Sequence, residues 1–552
     1  MPAAKKTRTK KRTYEFWTDQ IAGKVVARKK FLYTDDKIPK FKEFVVKSSA
    51  SVSGVLHIGR LSDTIRGEAV ARSLLDAGVR AKLIWVAEDM DPMRKIPEGV
   101  PASYADYIGA PVTDIPDPWG CHKSYAEHHL SKYFESLDKF IALKMERFSM
   151  REEYKRGNFN PYIKKLMKAV EELVEIQNKY RDTKLSPQAW NPWTPICSNC
   201  GKIITPRVTG FAKGKVQYKC VDYAFETRTA KGCGHEGEND PLKGEGKLMW
   251  KSEWAAQWAR WKVAAEGAGK EYQVPGSAFW INAEICEKIL EFPAPVPIFY
   301  EHLIINGQKM SASIGNVVYP ADWLKRAPAE VLRLLFLKDP MRTRDFSWQM
   351  LPNMFDELDD LERVHYGKKK IRDERDAYNA KRLFEIVSLK KPSKAYVKRV
   401  AFSTLAELAK TAPQQKRVDF LLKKVKELGL AGNVTPQLKR QITERLAFVE
   451  AGEAQPAVQL QKPRLSDSDK ELVRKLIGAI ERESDAEMLQ AAIFGIAKSS
   501  GVKLPEFFKM VYRILFNADR GPRLGQHIID AGKKEILEKL KGTLNGEHES
   551  VH

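Results

Sequence analysis

Along the first hundred residues the apolar positions form two short runs separated by one helical stripe. The segment Phe41 to Lys47, FKEFVVK, predicts a short strand. A stretch of small residues, SSASVSG, follows it. An amphipathic helix then places Ile58, Leu61, Ile65 and Ala69 on one side, with Gly78 as its stop signal. A second apolar run, Ala81 to Ala87, predicts a buried strand. Together these make a β-α-β unit, the building block of a parallel sheet. Residues 100–250 are less regular and hold most of the Cys and His. A third apolar stretch, Phe299 to Asn306, precedes a glycine-containing loop. Beyond about Arg344 the chain becomes a succession of charged amphipathic segments ending in KKEILEKLKGTL, which predicts helices throughout. Glu450 to Pro463, rich in Ala, Gln and Pro, predicts a loop between helical subdomains. No internal repeat is present.

Composition narrows the class. The 552 residues are 43% hydrophobic and 30% charged, enough apolar matter to offset chain entropy in a globular fold. No run of 18 apolar residues offers a membrane span. The opening MPAAKKTRTKKR carries six basic residues and no apolar core, unlike a secretory signal. Six cysteines in this length do not make a disulfide scaffold, so a reducing, cytoplasmic setting is expected. Lys and Arg number 94 against 71 Asp and Glu, a net charge of +23. Such a surplus either binds a polyanion through phosphate contacts or is a solvated basic surface.

Two motifs carry the chemistry. In VLHIGR, His57, Ile58 and Gly59 sit at the turn from the first strand into the first helix. A helix N-terminus offers free N–H groups and partial positive charge to phosphate. Gly59 permits close approach of a nucleotide, and His57 is placed to donate to a phosphoryl oxygen. Taken alone, the tripeptide reads as an ordinary helix cap. The second motif, GQKMSASIGN at 307–316, sets Lys309 on a small-residue loop after a late strand. One ammonium there can clamp a triphosphate; alone it is an exposed loop lysine.

The two motifs in this order resemble the HIGH and KMSKS signatures of class I aminoacyl-tRNA synthetases. The contexts SVSGVLHIGR, WVAEDMDPMRKIP, KLMWKSEW, GKEY and YEHLIINGQKMSASIGN are similar to the archaeal-type class I lysyl-tRNA synthetase family, as is LPEFFKMVYRILFNADRGPRLGQHI near the C-terminus. The resemblance runs from about residue 19 to 540 and is sparse between 345 and 480. It implies that His57 and Gly59 bind ATP phosphates and that Lys309 stabilises the departing pyrophosphate. It also implies that Ser311 and Ser313 hold the closed loop, and that Ser51, Trp250 and Tyr272 contact the amino acid. Trp250 can stack on an ammonium group, an interaction of roughly 0.5–2 kcal/mol, or serve as a core aromatic. Glu301 is a candidate partner for a lysine ε-ammonium or a surface acid. The sequence departs from the pattern at Arg60, Ala312, Ile314 and the GKEY segment.

Two sets of metal-ligating residues lie in the middle region. Cys197 and Cys200 form a knuckle, ICSNCGKI, followed by Cys220, Cys233 and His235: five candidates for four places around one Zn²⁺. The second set is Asp117, Cys121, His122 and His129, with His128 as an alternative. The resemblance implies a zinc site there, and without it the segment is a polar helix with solvated histidines.

The expected architecture is an α/β protein. A basic tail (1–18) precedes a Rossmann-like parallel-sheet catalytic domain (19–345) with a zinc-bearing insertion (100–250). An all-α anticodon-binding domain (346–545) follows. The implied reaction forms lysyl-adenylate from lysine and ATP with Mg²⁺, then charges tRNA, gripped at its anticodon loop and acceptor stem. Phe507, Phe508, Tyr512 and Arg513 are candidate anticodon contacts. Rival readings are a class I synthetase for another amino acid such as glutamate or cysteine, a non-catalytic synthetase-like tRNA-binding protein, and a nucleotidyltransferase of related fold.

Overall fold

A computed structural model describes residues 15–545 except 53, 98, 227, 311–315, 411, 414–415, 454–464, 517–523 and 532. The chain divides into two units, Met1–Gly452 and Glu453–His552. The first is built on a five-stranded parallel sheet of β1 (Phe44–Ser51), β2 (Ala81–Glu88), β3 (Met145–Ser149), β4 (Val263–Gly269) and β5 (Val296–Tyr300), in the order β5-β4-β1-β2-β3. The expected strand at Phe41 to Lys47 starts and ends later. The chain is extended and apolar at Val45 and Val46, but pairing with β2 continues through Ser51. Between β1 and β2 runs helix α1 (Ile58–Asp76), which ends two residues before Gly78, whose φ is +79°. Order reverses between β1 and β4, so a crevice opens beyond the C-terminal ends of those strands, where ligands of such sheets bind.

β3 lies inside the stretch expected to be one insertion. The polar sequence MERFS pairs in register with Leu83 to Ala87 as an edge strand, and its exposed residues give it no apolar run. The segments around it supply helix α2 (Tyr125–Leu137) and a three-stranded antiparallel sheet of Pro206–Ala212, Lys215–Cys220 and Glu236–Asn239. Helix α3 (Trp250–Trp261) then leads into β4.

The helical half divides too. Helices from Leu351–His365 to Pro436–Glu453 bury Phe355, Ile386, Val387, Leu405 and Leu421 in the same apolar core as α1 and β2. Helix α4 (Glu374–Val387) ends against α1: Arg72 donates to the carbonyls of Glu385, Ile386 and Ser388. The fully buried Arg333 donates to Val387 O and to Glu68 Oε2 at 2.9 Å. Cations at a helix C-terminus complement its dipole. The second unit has its own core of Leu476, Ile480, Leu489, Ile493, Val511 and Leu540. Phe507 is in that core, whereas Phe508 and Tyr512 are partly buried beside Phe494. Most of the loop expected at 450–463 lies outside the described residues. Helix Trp17–Ala27 begins within the segment expected to be tail. Among the described residues no helix is long and apolar enough to cross a membrane.

Candidate active site and metal clusters

β1 runs into a short turn and delivers His57 as the N-cap of α1. Its Nδ1 accepts a hydrogen bond from the Gly59 N–H at 3.1 Å. That bond leaves Nε2 to carry the proton of the neutral ring. Burial first, and then the Arg60 guanidinium, push the imidazole down to about 4, so it is neutral at pH 7.

The late motif comes to the same place. Leu303–Ile305 and Gln308–Lys309 form a tight hairpin, with Ile304 opposite Lys309. Lys309 is exposed, and its carbonyl accepts from Asn316 Nδ2. Met310 packs against Gly59, where a Cβ would lie only 2.7 Å from the Met310 Cε. The N–H of Ile58 donates to Val318 O at 3.0 Å. The chain on both sides of 311–315 therefore touches the first turn of α1. Ser311 and Ser313 lie outside the described residues.

The part of the crevice expected to take the amino acid is lined by charge and aromatic rings. Ser51 Oγ, at the end of β1, donates to Asp91 Oδ2 at 2.6 Å. Lys247 Nζ sits 3.3 Å from Asp91 and 3.1 Å from the buried Glu253. Trp250 opens α3, is 37% exposed, and stacks on Trp254 with centroids 4.8 Å apart. Tyr272 meets the same Trp254 edge-on at 5.4 Å. Glu301 follows β5, but its carboxylate is taken by Lys270 at 2.6 Å and by Thr343 at 3.0 Å.

The sequence reading passed over Asp63. It lies on α1 and is 8% exposed; its Oδ2 accepts from Ser48 Oγ at 2.6 Å, while buried Oδ1 lacks a well-formed hydrogen bond. Tyr300 stands beside it, with the Arg66 guanidinium 4.5 Å over the Tyr300 ring. Burial pushes the Asp63 carboxyl up, against the hydrogen bonds from Ser48 and Tyr300 and the nearby Lys47 and Arg66. The carboxylate lies flat against Gly267 of β4, where a Cβ would come 1.8 Å from Oδ1. A buried acid favours a cation, and Lys47 and Arg66 already act on this one. Its spacing from HIGR was the available signal, but a charged residue on a helix reads as surface.

The metal-ligating residues form two clusters. Cys197, Cys200, Cys220 and Cys233 bring their Sγ atoms within 4.8 Å of one another. Cys197–Cys233 and Cys200–Cys220 are each separated by 3.7 Å. That is too long for a disulfide and close to the about 3.8 Å between thiolates placed tetrahedrally about 2.3 Å from Zn²⁺. His235, the fifth candidate, is outside the cluster: its Nε2 lies 3.1 Å from Ser198 Oγ, because the Cys233–Gly234 turn sends its ring toward Tyr218.

Asp117, Cys121, His122 and His128 form the other cluster. His122 Nδ1 and His128 Nδ1 each lie 3.1 Å from the Cys121 Sγ. Against the opposing effect of burial, the N–H groups of Trp119, His122 and Cys121 hold the Asp117 carboxyl down at about 2. His128 stands here in place of the expected His129. Adjacent residues on a helix point about 100° apart, so His129 turns under Trp119 and Tyr125 while His128 faces the loop.

Residues 15–390 match the family described as tRNA synthetases class I (K). The chain belongs to the class I tRNA synthetases. Its similarity within that class is to lysine–tRNA ligases of archaea. It is 32% identical to that of Cenarchaeum symbiosum (strain A), over 96% of this chain and 98% of the relative. It is 29% identical to that of Methanocaldococcus jannaschii and 28% identical to that of Methanosphaera stadtmanae, each over 95% of this chain and 99% of the relative.

Proposed function

We propose that this chain activates lysine with ATP and transfers it to the 3′ end of tRNA(Lys) in the cytoplasm. The observation that carries the reading is the meeting of two distant motifs: the His57 cap of α1 against the Lys309–Met310 hairpin. ATP lies across the N-terminus of α1, with its phosphates at the positive end of the helix dipole. The lysine carboxylate attacks the α-phosphorus, and pyrophosphate leaves. His57 donates from Nε2 to a phosphoryl oxygen, and Lys309 neutralises the charge growing on the leaving group. Gly59 leaves room for the nucleotide, and Ser311 and Ser313 hold the loop over it. Mg²⁺ accompanies the triphosphate.

Lysine enters beside Ser51, with its aliphatic stem along Trp250 and Tyr272. Asp63, more deeply buried than Glu301, is the acid proposed for the ε-ammonium, and Glu301 stays paired with Lys270 at 2.6 Å. The tRNA 2′- or 3′-hydroxyl then attacks the adenylate, and the helical region from 346 onward grips the anticodon loop.

Each four-ligand cluster holds one Zn²⁺ as a staple for a loop-rich segment with little core. Metal analysis should give two zinc ions per chain, and Cys197→Ser should leave one. The test of the function is ATP–pyrophosphate exchange with each amino acid, with tRNA transcript present. Lysine alone should support exchange; exchange with another amino acid and none with lysine would sink the proposal.

A further inference from the structure

We propose that Trp119 is a stacking platform for the unpaired 3′ end of tRNA. Trp119 is 45% exposed, yet its ring is held in place. It stacks on His128 with centroids 4.1 Å apart and planes at 23°, and His129 meets it edge-on at 5.6 Å. His128 is itself 3% exposed and fixed at both nitrogens, by Cys121 at 3.1 Å and by Lys132 Nζ at 2.9 Å. An exposed indole fixed in this way loses little freedom when a flat partner lands on it.

Its position suits an acceptor end. The loop bearing Trp119 hangs from the extension of β2: Val112 N–H donates to Asp91 O at 3.1 Å, and Ala126 N–H to Val112 O at 3.2 Å. Asp91 is the partner of Ser51 at the mouth of the crevice. Helix α2 packs against Pro320–Arg326, the helix that follows the Lys309 hairpin. The ring thus stands beyond the C-terminal ends of the strands, on the side where the adenylate forms. The Lys132 ammonium lies 6.0 Å from the ring centre, supplying charge for the adjoining phosphate. Single-stranded bases stack on such aromatic–cation pairs whatever their sequence.

The inference rests on the reading that this chain charges tRNA. Its test is the affinity, by fluorescence anisotropy at fixed salt, for a tRNA(Lys) transcript and for the same transcript lacking its unpaired 3′ nucleotides. The wild-type protein should prefer the full-length RNA by about tenfold, the value of one stacked base. Trp119→Leu, which fills the space without a π-face, should abolish the preference and bind the truncated RNA as the wild type does. Trp119→Phe should keep most of it, and zinc content should be unchanged in both. A preference that survives Trp119→Leu, an equal loss for both RNAs, or no preference in the wild type would overturn the proposal. The outcome is separable from the function itself: a chain that charges tRNA with some other amino acid fails the lysine reading and leaves this comparison of the two RNAs intact.

Discussion

The two ends of the crevice are built differently. The phosphate end consists of groups kept ready for a charged ligand: a neutral imidazole with its tautomer fixed by Gly59, and an exposed amine on a hairpin. The proposed amino-acid end consists of charges already engaged with one another, half-buried Asp91 with Lys247 and Lys247 with buried Glu253, plus the buried Asp63 beside Ser48, Tyr300 and Arg66. In the proposed reaction the first would stabilise charge that appears only as the reaction proceeds. The second, in the proposed reaction, would select a substrate through a buried carboxylate.

The sharpest way to separate the ends is kinetic. Lys309→Ala should lower lysine-dependent pyrophosphate exchange by about 10²–10³-fold, the size of losing one transition-state donor. Lysine KM and tRNA affinity should stay within about twofold. A similar rise in lysine KM would erase the distinction. Asp63→Asn should act the other way, raising lysine KM by about 10–100-fold, as for a lost charge-assisted hydrogen bond, with ATP KM unchanged. Gly267→Ala should push the Asp63 carboxylate aside and repeat that effect with about tenfold lower affinity for lysine, detectable by calorimetry.

The smallest expected effect is in pH. The His57 pKa is depressed from an ordinary 6.5 to about 4 by burial and Arg60. In the unfolded chain the ring takes its proton first, so the stability from a neutral His57 is complete above 6.5 and is lost as pH falls toward about 4. The exchange rate should therefore show no step near pH 6.5 that disappears in His57→Asn. Such a step would mean that the ring is solvated.

The same contrast explains what could be read from the sequence. The β1-α1-β2 unit and both nucleotide motifs were legible because each is a local pattern: an apolar run, a 3.6-residue stripe, a glycine at a turn. β4 was not, because VAAEGAG has few large apolar residues and places Glu266 in the sheet interior, where Lys47 neutralises it at 2.5 Å from the neighbouring strand. Asp63 was missed for the same reason, since its burial depends on Ser48, Gly267 and Tyr300 from three separate strands. The helical character of the later half followed from periodicity, although it opens with a short strand, Arg344–Phe346, paired with Leu303–Ile305. The division between Gly452 and Glu453 falls in the stretch whose composition marked a loop between helical subdomains, but the sharing of one core by the helices before it and the parallel sheet was not legible, because whether Phe355 or Leu476 faces one core or another is decided by distant residues. The choice of His128 over His129 required the helix phase of α2, which two adjacent histidines do not reveal.

Helix α1 does more than present His57. Its 19 residues make a rod about 28 Å long. Near the far end, Arg72 holds three carbonyls at the terminus of α4. A displacement of α4 therefore reaches the imidazole as a shift of one stiff body, without passing through any loop. Arg72→Ala would loosen that lever while Arg333 still joins Glu68 to Val387, and faster amide exchange at 385–388 without any change at 58–62 would mark where the mechanical link had weakened.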